Sequence, residues 1–241
     1  MPSTSSSTTA QRRTQPQRQR RRLILIGVAG AAVLAAGVLI ALMQPSAKRA
    51  DAGTFSGAAQ VALVKGLPQS GLTLGTPGAP ITVTEFSDMQ CPFCAQFANE
   101  SFAGYASGPL AKGESTMRFV PISILGPDSE KGALAALAAA RQNRLWEFVG
   151  VWYANQGVEN SGYVTNAFID KVATAAGLDM TAFHSALADP ALAATAKAEL
   201  ALARAKKVQS TPSFVVRGPR GEQLVEGADS AKLNAAIAAV Q

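Results

Sequence analysis

Residues 75–94 read GTPGAPITVTEFSDMQCPFC, and the order of signals within them decides the fold. The Gly-Thr-Pro-Gly-Ala-Pro run is a turn. Residues 81–87, ITVTEFS, have the β-branched alternation of a strand. Cys91-Pro92-Phe93-Cys94 then opens a helix that Phe97 and Phe102 make apolar on one side, expected to run to about residue 103. Pro92 stands at the first helical position, where its missing N–H leaves no bond unmade. Two thiols separated by two residues, with a proline fixing the backbone between them, can close and reopen a small disulfide ring. A thiol in the first turn of a helix also faces unpaired N–H groups and the positive end of the macrodipole, which favour the thiolate. The thiolate is the form that attacks a disulfide.

Outward from this stretch the pattern stays mixed α/β. Residues 116–125 (TMRFVPISIL) read as the next strand. From about 128 to 207 the periodicity is helical, broken by Gly157, Ser161-Gly162, Gly177 and Asp189-Pro190 into several helices. Asp189 can cap, Pro190 fits the first turn, and Lys206-Lys207 complement the far end. Strands at 213–217 and 223–226 flank the tight turn Gly218-Pro219-Arg220-Gly221. A last helix, capped by Asp229 or Ser230, aligns Leu233, Ala236, Ile237 and Val240 on one face. Strand–helix–strand, a helical block and a hairpin–helix make a thioredoxin-type order with an all-helical insertion over about 128–207, in a domain spanning 71–241.

The chain has 241 residues and a formal net charge of +6. Arg12, Arg13, Arg18, Arg20, Arg21 and Arg22 precede residue 23 with no acid among them, so the remainder is formally neutral. The basicity belongs to a tail, 1–22, expected to be disordered and cytoplasmic, and no nucleic-acid partner is implied. Residues 23–43, LILIGVAGAAVLAAGVLIALM, carry no charge and are long enough for one bilayer crossing. They read as a single transmembrane anchor with its N-terminus inside, by the excess of arginine ahead of it. A cleaved signal peptide has a shorter apolar stretch, and the nearest small-x-small site, Ala50-Asp51-Ala52, lies well beyond this one. Residues 44–70 read as a linker, with 61–64 a short helix or strand. On either reading the domain is extracytoplasmic, where disulfides persist.

Cys91 and Cys94 are the chain's two cysteines. Cys91, at the exposed end of the turn, is expected to attack; Cys94, one turn inside, to be buried and to resolve the mixed disulfide. Zinc needs four ligands, and one histidine with no third cysteine argues against an ordinary zinc site. Glu85 lies six residues before Cys91, on the same side of the strand as Val83 and Ser87, where a carboxyl can take the proton from Cys94. Asp88 reads as a turn or cap residue. Thr211-Pro212 opens a strand, a place where a cis bond and a backbone for pairing with an extended substrate both fit. His184 reads as an ordinary helix residue, and Trp146, Phe148, Trp152 and Tyr153 as the core of the helical block.

GTPGAPITVTEFSDMQCPFC, RQNRLWEFVGVWYANQG and STPSFVV together resemble membrane-anchored bacterial DsbA-like proteins of the thioredoxin superfamily, over about 70–241. The resemblance implies Cys91 as nucleophile, Cys94 as resolving thiol, Glu85 as a proton-transfer acid and Thr211-Pro212 as the cis-proline loop. Pro92, Phe93, Thr211 and Pro212 would then face substrate. It further implies an oxidoreductase that forms disulfides in unfolded, reduced secreted proteins and is reoxidised by a quinone-coupled membrane enzyme, with no bound cofactor. One departure is Phe93, where the strongest oxidases carry histidine; with less thiolate stabilisation a weaker oxidant is expected. A reductase or isomerase of the same fold remains open, as does, in another class, a thiol-based copper chaperone or redox-inert binding module.

Overall fold

The computed structural model describes residues 55–241, so the basic tail and the apolar segment 23–43 lie outside the described residues. Among the described residues no helix is long and apolar enough to cross a membrane.

Six strands form one sheet in the order β1-β2-β4-β3-β5-β6. They are β1 (Gln69–Ser70), β2 (Thr73–Gly75), β3 (Ile81–Asp88), β4 (Ser115–Ile122), β5 (Ser213–Gly218) and β6 (Gly221–Glu226). β3 runs parallel to β4, and the other pairings are antiparallel. Register places Glu85 opposite Phe119 of β4 and Phe214 of β5, so these three side chains share one face.

The helix after β3, α2, opens as Pro92–Gln96 and reaches Leu110 through two π turns, Phe97–Ser101 and Ala106–Leu110. It is therefore longer than the stop near 103 read from the sequence. Pro109 cannot donate to the carbonyl four residues back, and the chain instead widens, Ala111 N–H bonding the Ala106 carbonyl at 3.1 Å. Phe97 packs its ring on Phe214, centroids 4.6 Å apart, which fixes α2 against the Glu85 face of the sheet. Between β4 and β5 the chain is helical, with α3 (Pro127–Ala140), α4 (Leu145–Ala154), α5 (Asn166–Ala175), α6 (Met180–Leu187) and α7 (Ala191–Ala205). Phe86, Val120 and Val215, on the opposite face of the sheet, cluster with Ala203 of α7. A terminal helix, α8 (Ser230–Val240), starts where the Asp229 carboxylate accepts the Ala231 and Lys232 N–H groups, and it buries Leu233, Ala236, Ile237 and Val240.

Two boundaries differ from the sequence reading. β4 ends at Ile122 rather than near 125, because the next backbone N–H groups serve a carboxylate in β3, described below. The stretch read as linker, 44–70, overlaps the described residues from Phe55 and there carries a helix, α1 (Ala58–Val64), as well as β1. α1 lies close on α4: a Cβ added at Gly150 would meet the Gln60 Cβ at 2.8 Å. The Asn155 side chain also exchanges two hydrogen bonds with the backbone of Ser56. An isolated helix of this length would be marginal in water; packing on α4 holds it.

Candidate active site

The loop between β3 and α2 places the two thiols, and it is held from several directions. Asp88, fully buried at the end of β3, accepts four hydrogen bonds. Its Oδ1 takes the Gln90 N–H (2.8 Å) and the Ser129 hydroxyl (2.6 Å), and its Oδ2 the N–H groups of Ile124 (2.8 Å) and Leu125 (3.1 Å). From α4, the Trp152 indole N–H donates to the Met89 carbonyl at 2.6 Å and the Tyr153 hydroxyl to the Asp88 carbonyl at 3.1 Å. Gln156 donates to the carbonyls of Met89 and Cys91. α3 comes close enough to join because Gly132 has no side chain; a Cβ there would sit 2.6 Å from the Met89 Cβ. Trp146, Phe148, Trp152 and Tyr153 are all buried, and two of them, Trp152 and Tyr153, reach the loop before Cys91 directly.

Cys91 caps α2 with extended backbone, and Pro92 follows in the first turn. Cys91 is only 4% exposed, against the expectation of an exposed end, because the Thr211 segment covers it. The thiol donates to the Thr211 carbonyl at 3.2 Å. As a thiolate it accepts from the Cys94 thiol, which is the largest influence, and from the Thr211 side chain and the N–H groups of Cys94 and Phe93. Together these outweigh burial and bring the pKa down from 9.0 to about 6. The Thr211–Pro212 peptide is cis, and Pro212 is buried.

Cys94 is fully buried, and its thiol is pushed well above its ordinary range, first by burial and then by the Cys91 sulfur. Glu85 also raises it through its charge, while a hydrogen bond with the Ser87 side chain works the other way. Glu85 itself is 3% exposed, and burial raises its carboxyl from 4.5 to about 7, against the opposing bond from Ser87. The Ser87 hydroxyl donates to Glu85 Oε1 in a very short hydrogen bond. Behind Glu85 lies a cavity of about 20 Å³ bounded by Gln60 of α1 and Trp146 of α4, room for one water molecule, which needs roughly 10–15 Å³. Residues of the presumed linker thus help to wall off the acid.

Pro92 and Phe93 are exposed, Phe93 at 61%, and Phe93 borders an open groove with Gln96, Ser210, Thr211, Ala228 and Asp229. The site therefore brings together all seven residues singled out from the sequence: Glu85, Cys91, Pro92, Phe93, Cys94, Thr211 and Pro212. Sequence reasoning missed Ser87 and the Thr211 side chain. Strand alternation had put Ser87 on the Glu85 side, which was the available signal. His184 is exposed on α6 with its imidazole 3.4 Å from Asp170, as an ordinary surface residue would be. Among the described residues no group of three or more His, Cys, Asp or Glu side chains is arranged to hold a metal ion.

A family model described as "Thioredoxin" matches residues 68–238. The chain is 30% identical over 166 residues to "Na(+)/H(+) antiporter NhaA 3" of Salinispora tropica, covering 67% of this chain and 24% of that protein. It is 26% identical over 150 residues to "Probable disulfide bond formation protein D" of Bacillus cereus, covering 61% of this chain and 69% of that protein. The chain thus spans about a quarter of the antiporter's length and just over two thirds of the second relative's. The crystal structure of oxidised BdbD from Bacillus subtilis superposes with a TM-score of 0.63 at 22% identity, over 71% of this chain and 95% of that one.

Proposed function

From the premise that this chain belongs to the thioredoxin family, among its DsbA-like disulfide oxidoreductases, we propose that it forms disulfides in secreted proteins by exchange through Cys91 and Cys94. The observation that carries this reading is the opposed tuning of two adjacent thiols. Cys91 has a pKa of about 6, so at neutral pH it is mostly thiolate, while Cys94 is held protonated. A stabilised Cys91 thiolate makes the reduced enzyme the favoured state and its disulfide an oxidant.

In the forward direction a client thiolate attacks the Cys91 sulfur of the Cys91–Cys94 disulfide. Cys94 leaves as a thiolate and is protonated from the Glu85 side. A second client thiolate then attacks the client sulfur of the mixed disulfide, and Cys91 departs as the thiolate its surroundings stabilise. Reoxidation reverses the roles. A disulfide of the reoxidising partner is attacked by Cys91, Cys94 loses its proton toward Glu85, and its sulfur displaces the partner. The disulfide itself carries the two electrons, so no cofactor is required.

The backbone at Thr211, beside Cys91 and next to the Phe93 groove, supplies pairing without sequence demand, and exposed Phe93 supplies an apolar contact for unfolded chains. We place the domain outside the cytoplasm, tethered by residues 23–43 with the N-terminus inside, and assign its reoxidation to a quinone-coupled membrane enzyme. The apolar run, the arginines ahead of it and a dithiol suited to an oxidising compartment support this.

The test is a pair of substitutions assayed on a reduced unfolded protein. Cys91→Ser abolishes dithiol oxidation, whereas Cys94→Ser accumulates client mixed disulfides on Cys91. An active Cys91→Ser variant, or a Cys94→Ser variant that traps nothing, overturns the reading.

A further inference from the structure

The groove that borders Phe93 opens beside the attacking sulfur and has one charged wall. It holds about 460 Å³, within the range of clefts that take small ligands. Thr211, whose carbonyl is 3.2 Å from the Cys91 sulfur, joins the groove to the dithiol. The exposed Phe93 ring and half-buried Ala228 supply apolar surface, and among the described residues Asp229 is the one charged residue lining it. Asp229 is exposed and caps α8 with one oxygen only. Its Oδ1 accepts the N–H groups of Ala231 (2.9 Å) and Lys232 (3.2 Å), while its Oδ2 has no partner among the described residues. Two further carboxylates stand behind polar lining residues. Gln96 donates to Glu100 Oε2 at 3.2 Å, and the Ser210 hydroxyl to Glu226 Oε1 at 3.5 Å. Lys232 is the cation nearest to Asp229 along the chain, yet among the described residues no ion pair involves it or any of these three carboxylates.

We infer that this groove selects client chains carrying a lysine or arginine close to the reacting cysteine, and that Asp229 sets the preference. The assignment rests on the exchange reaction proposed above, in which the client thiolate bonds to the Cys91 sulfur and Cys94 leaves with the electron pair. A lysine or arginine matches the lining from end to end. Its aliphatic stem covers the apolar side while its charged head stays in water beside the unused Asp229 oxygen, and the head can also lie over the face of the Phe93 ring. In an extended client, residues two positions apart point the same way, so the residue two positions from the cysteine shares its side. A glutamate there meets Asp229, with Glu100 and Glu226 behind it, and is rejected by like charge. A leucine uses the ring and leaves the carboxylate without a counterion.

The experiment mixes the oxidised full-length chain with alanine-rich peptides that carry one cysteine and, two positions before or after it, Lys, Leu or Glu. The initial rate is read from the peptide–Cys91 mixed disulfide, quantified by mass after acid quenching. A lysine acidifies a neighbouring thiol whatever the enzyme, so the deciding quantity is how the Lys-to-Glu rate ratio changes from the native chain to Asp229→Asn. On at least one side of the cysteine that ratio is expected to fall about fivefold, the order set by exposed charge pairs. Asparagine and serine cap a helix as well as aspartate does, so Asp229→Ser decides in the same way should the first variant not fold. An unchanged ratio overturns the assignment. A Leu peptide that reacts fastest with the native chain also overturns it, and gives the groove to apolar side chains. Opening by 2-mercaptoethanol separates the failures. If it opens the disulfide and the ratio is unchanged, only the preference is wrong; if neither it nor any peptide bonds to Cys91, the exchange reading falls and this assignment with it.

Discussion

Strand β3 buries two carboxylates three residues apart, and their surroundings differ completely. Asp88 is met by four donors from three stretches of chain, and Glu85 accepts one serine hydroxyl on the thiol side and faces a small cavity on the other. Both are nearly inaccessible, so burial alone does not separate a structural acid from a reactive one. The number of donors does. A saturated carboxylate has no lone pair left for a migrating proton, and an undersupplied one titrates near neutrality.

The contrast breaks first at Asp88. Asp88→Ala leaves two backbone N–H groups, a third in the loop and the Ser129 hydroxyl without their acceptor, and is expected to cost at least about 3 kcal/mol in urea unfolding of the reduced protein. A loss below about 1 kcal/mol would show that the loop is held by its packing alone.

Glu85 should respond with the opposite sign. Its carboxyl titrates at about 7 when folded and near 4.5 when unfolded. Between those values the unfolded chain has released a proton that the folded one keeps, so stability falls as pH rises through this window and the full penalty is present above 7. Glu85→Gln is therefore expected to stabilise the reduced protein by about 3 kcal/mol at pH 8 and by almost nothing at pH 4. Equal effects at both pH values would mean that Glu85 is paired after all.

Cys91 extends the same distinction to sulfur. Its thiolate draws on Cys94, Thr211 and the backbone N–H groups of Cys94 and Phe93, while the Phe93 side chain, on a residue 61% exposed, adds no donor. Phe93→His is expected to lower the Cys91 pKa by about one unit, about 1.4 kcal/mol, and to raise the reduction potential by roughly 30 mV. Thiolate absorbance and equilibration with glutathione measure the two. No change in either would mean that the imidazole finds no path to the sulfur. The smallest effect belongs to His184→Ala: its pairing with Asp170 is exposed, and a change within about 0.5 kcal/mol in thermal unfolding is expected.

What the sequence disclosed was whatever lies close along the chain. The dithiol, the helix it opens, the hairpin and the last helix are written in local signals, and Glu85 was within reach because alternation in a strand has period two. Asp88 was read as a turn residue because three of its four partners lie 36–41 positions away, in a segment with no mark of that purpose. Thr211-Pro212 was placed at the site, but Cys91 was still read as exposed, since the segment that covers it is 120 residues distant. Two-residue β1 and three-residue β2 are too short to carry a period, and the π turns of α2 follow from Pro109 and packing.

Cys91 is nearly hidden, roofed by the Thr211 loop and flanked by the protruding Phe93 ring. On the function proposed above, a compact protein with its cysteines already tucked away would be a poor client, whereas a slack single strand would fit the Phe93 groove. The roof over Cys91 would then act as a timer as much as a shield, biasing the chemistry toward chains caught before they finish folding.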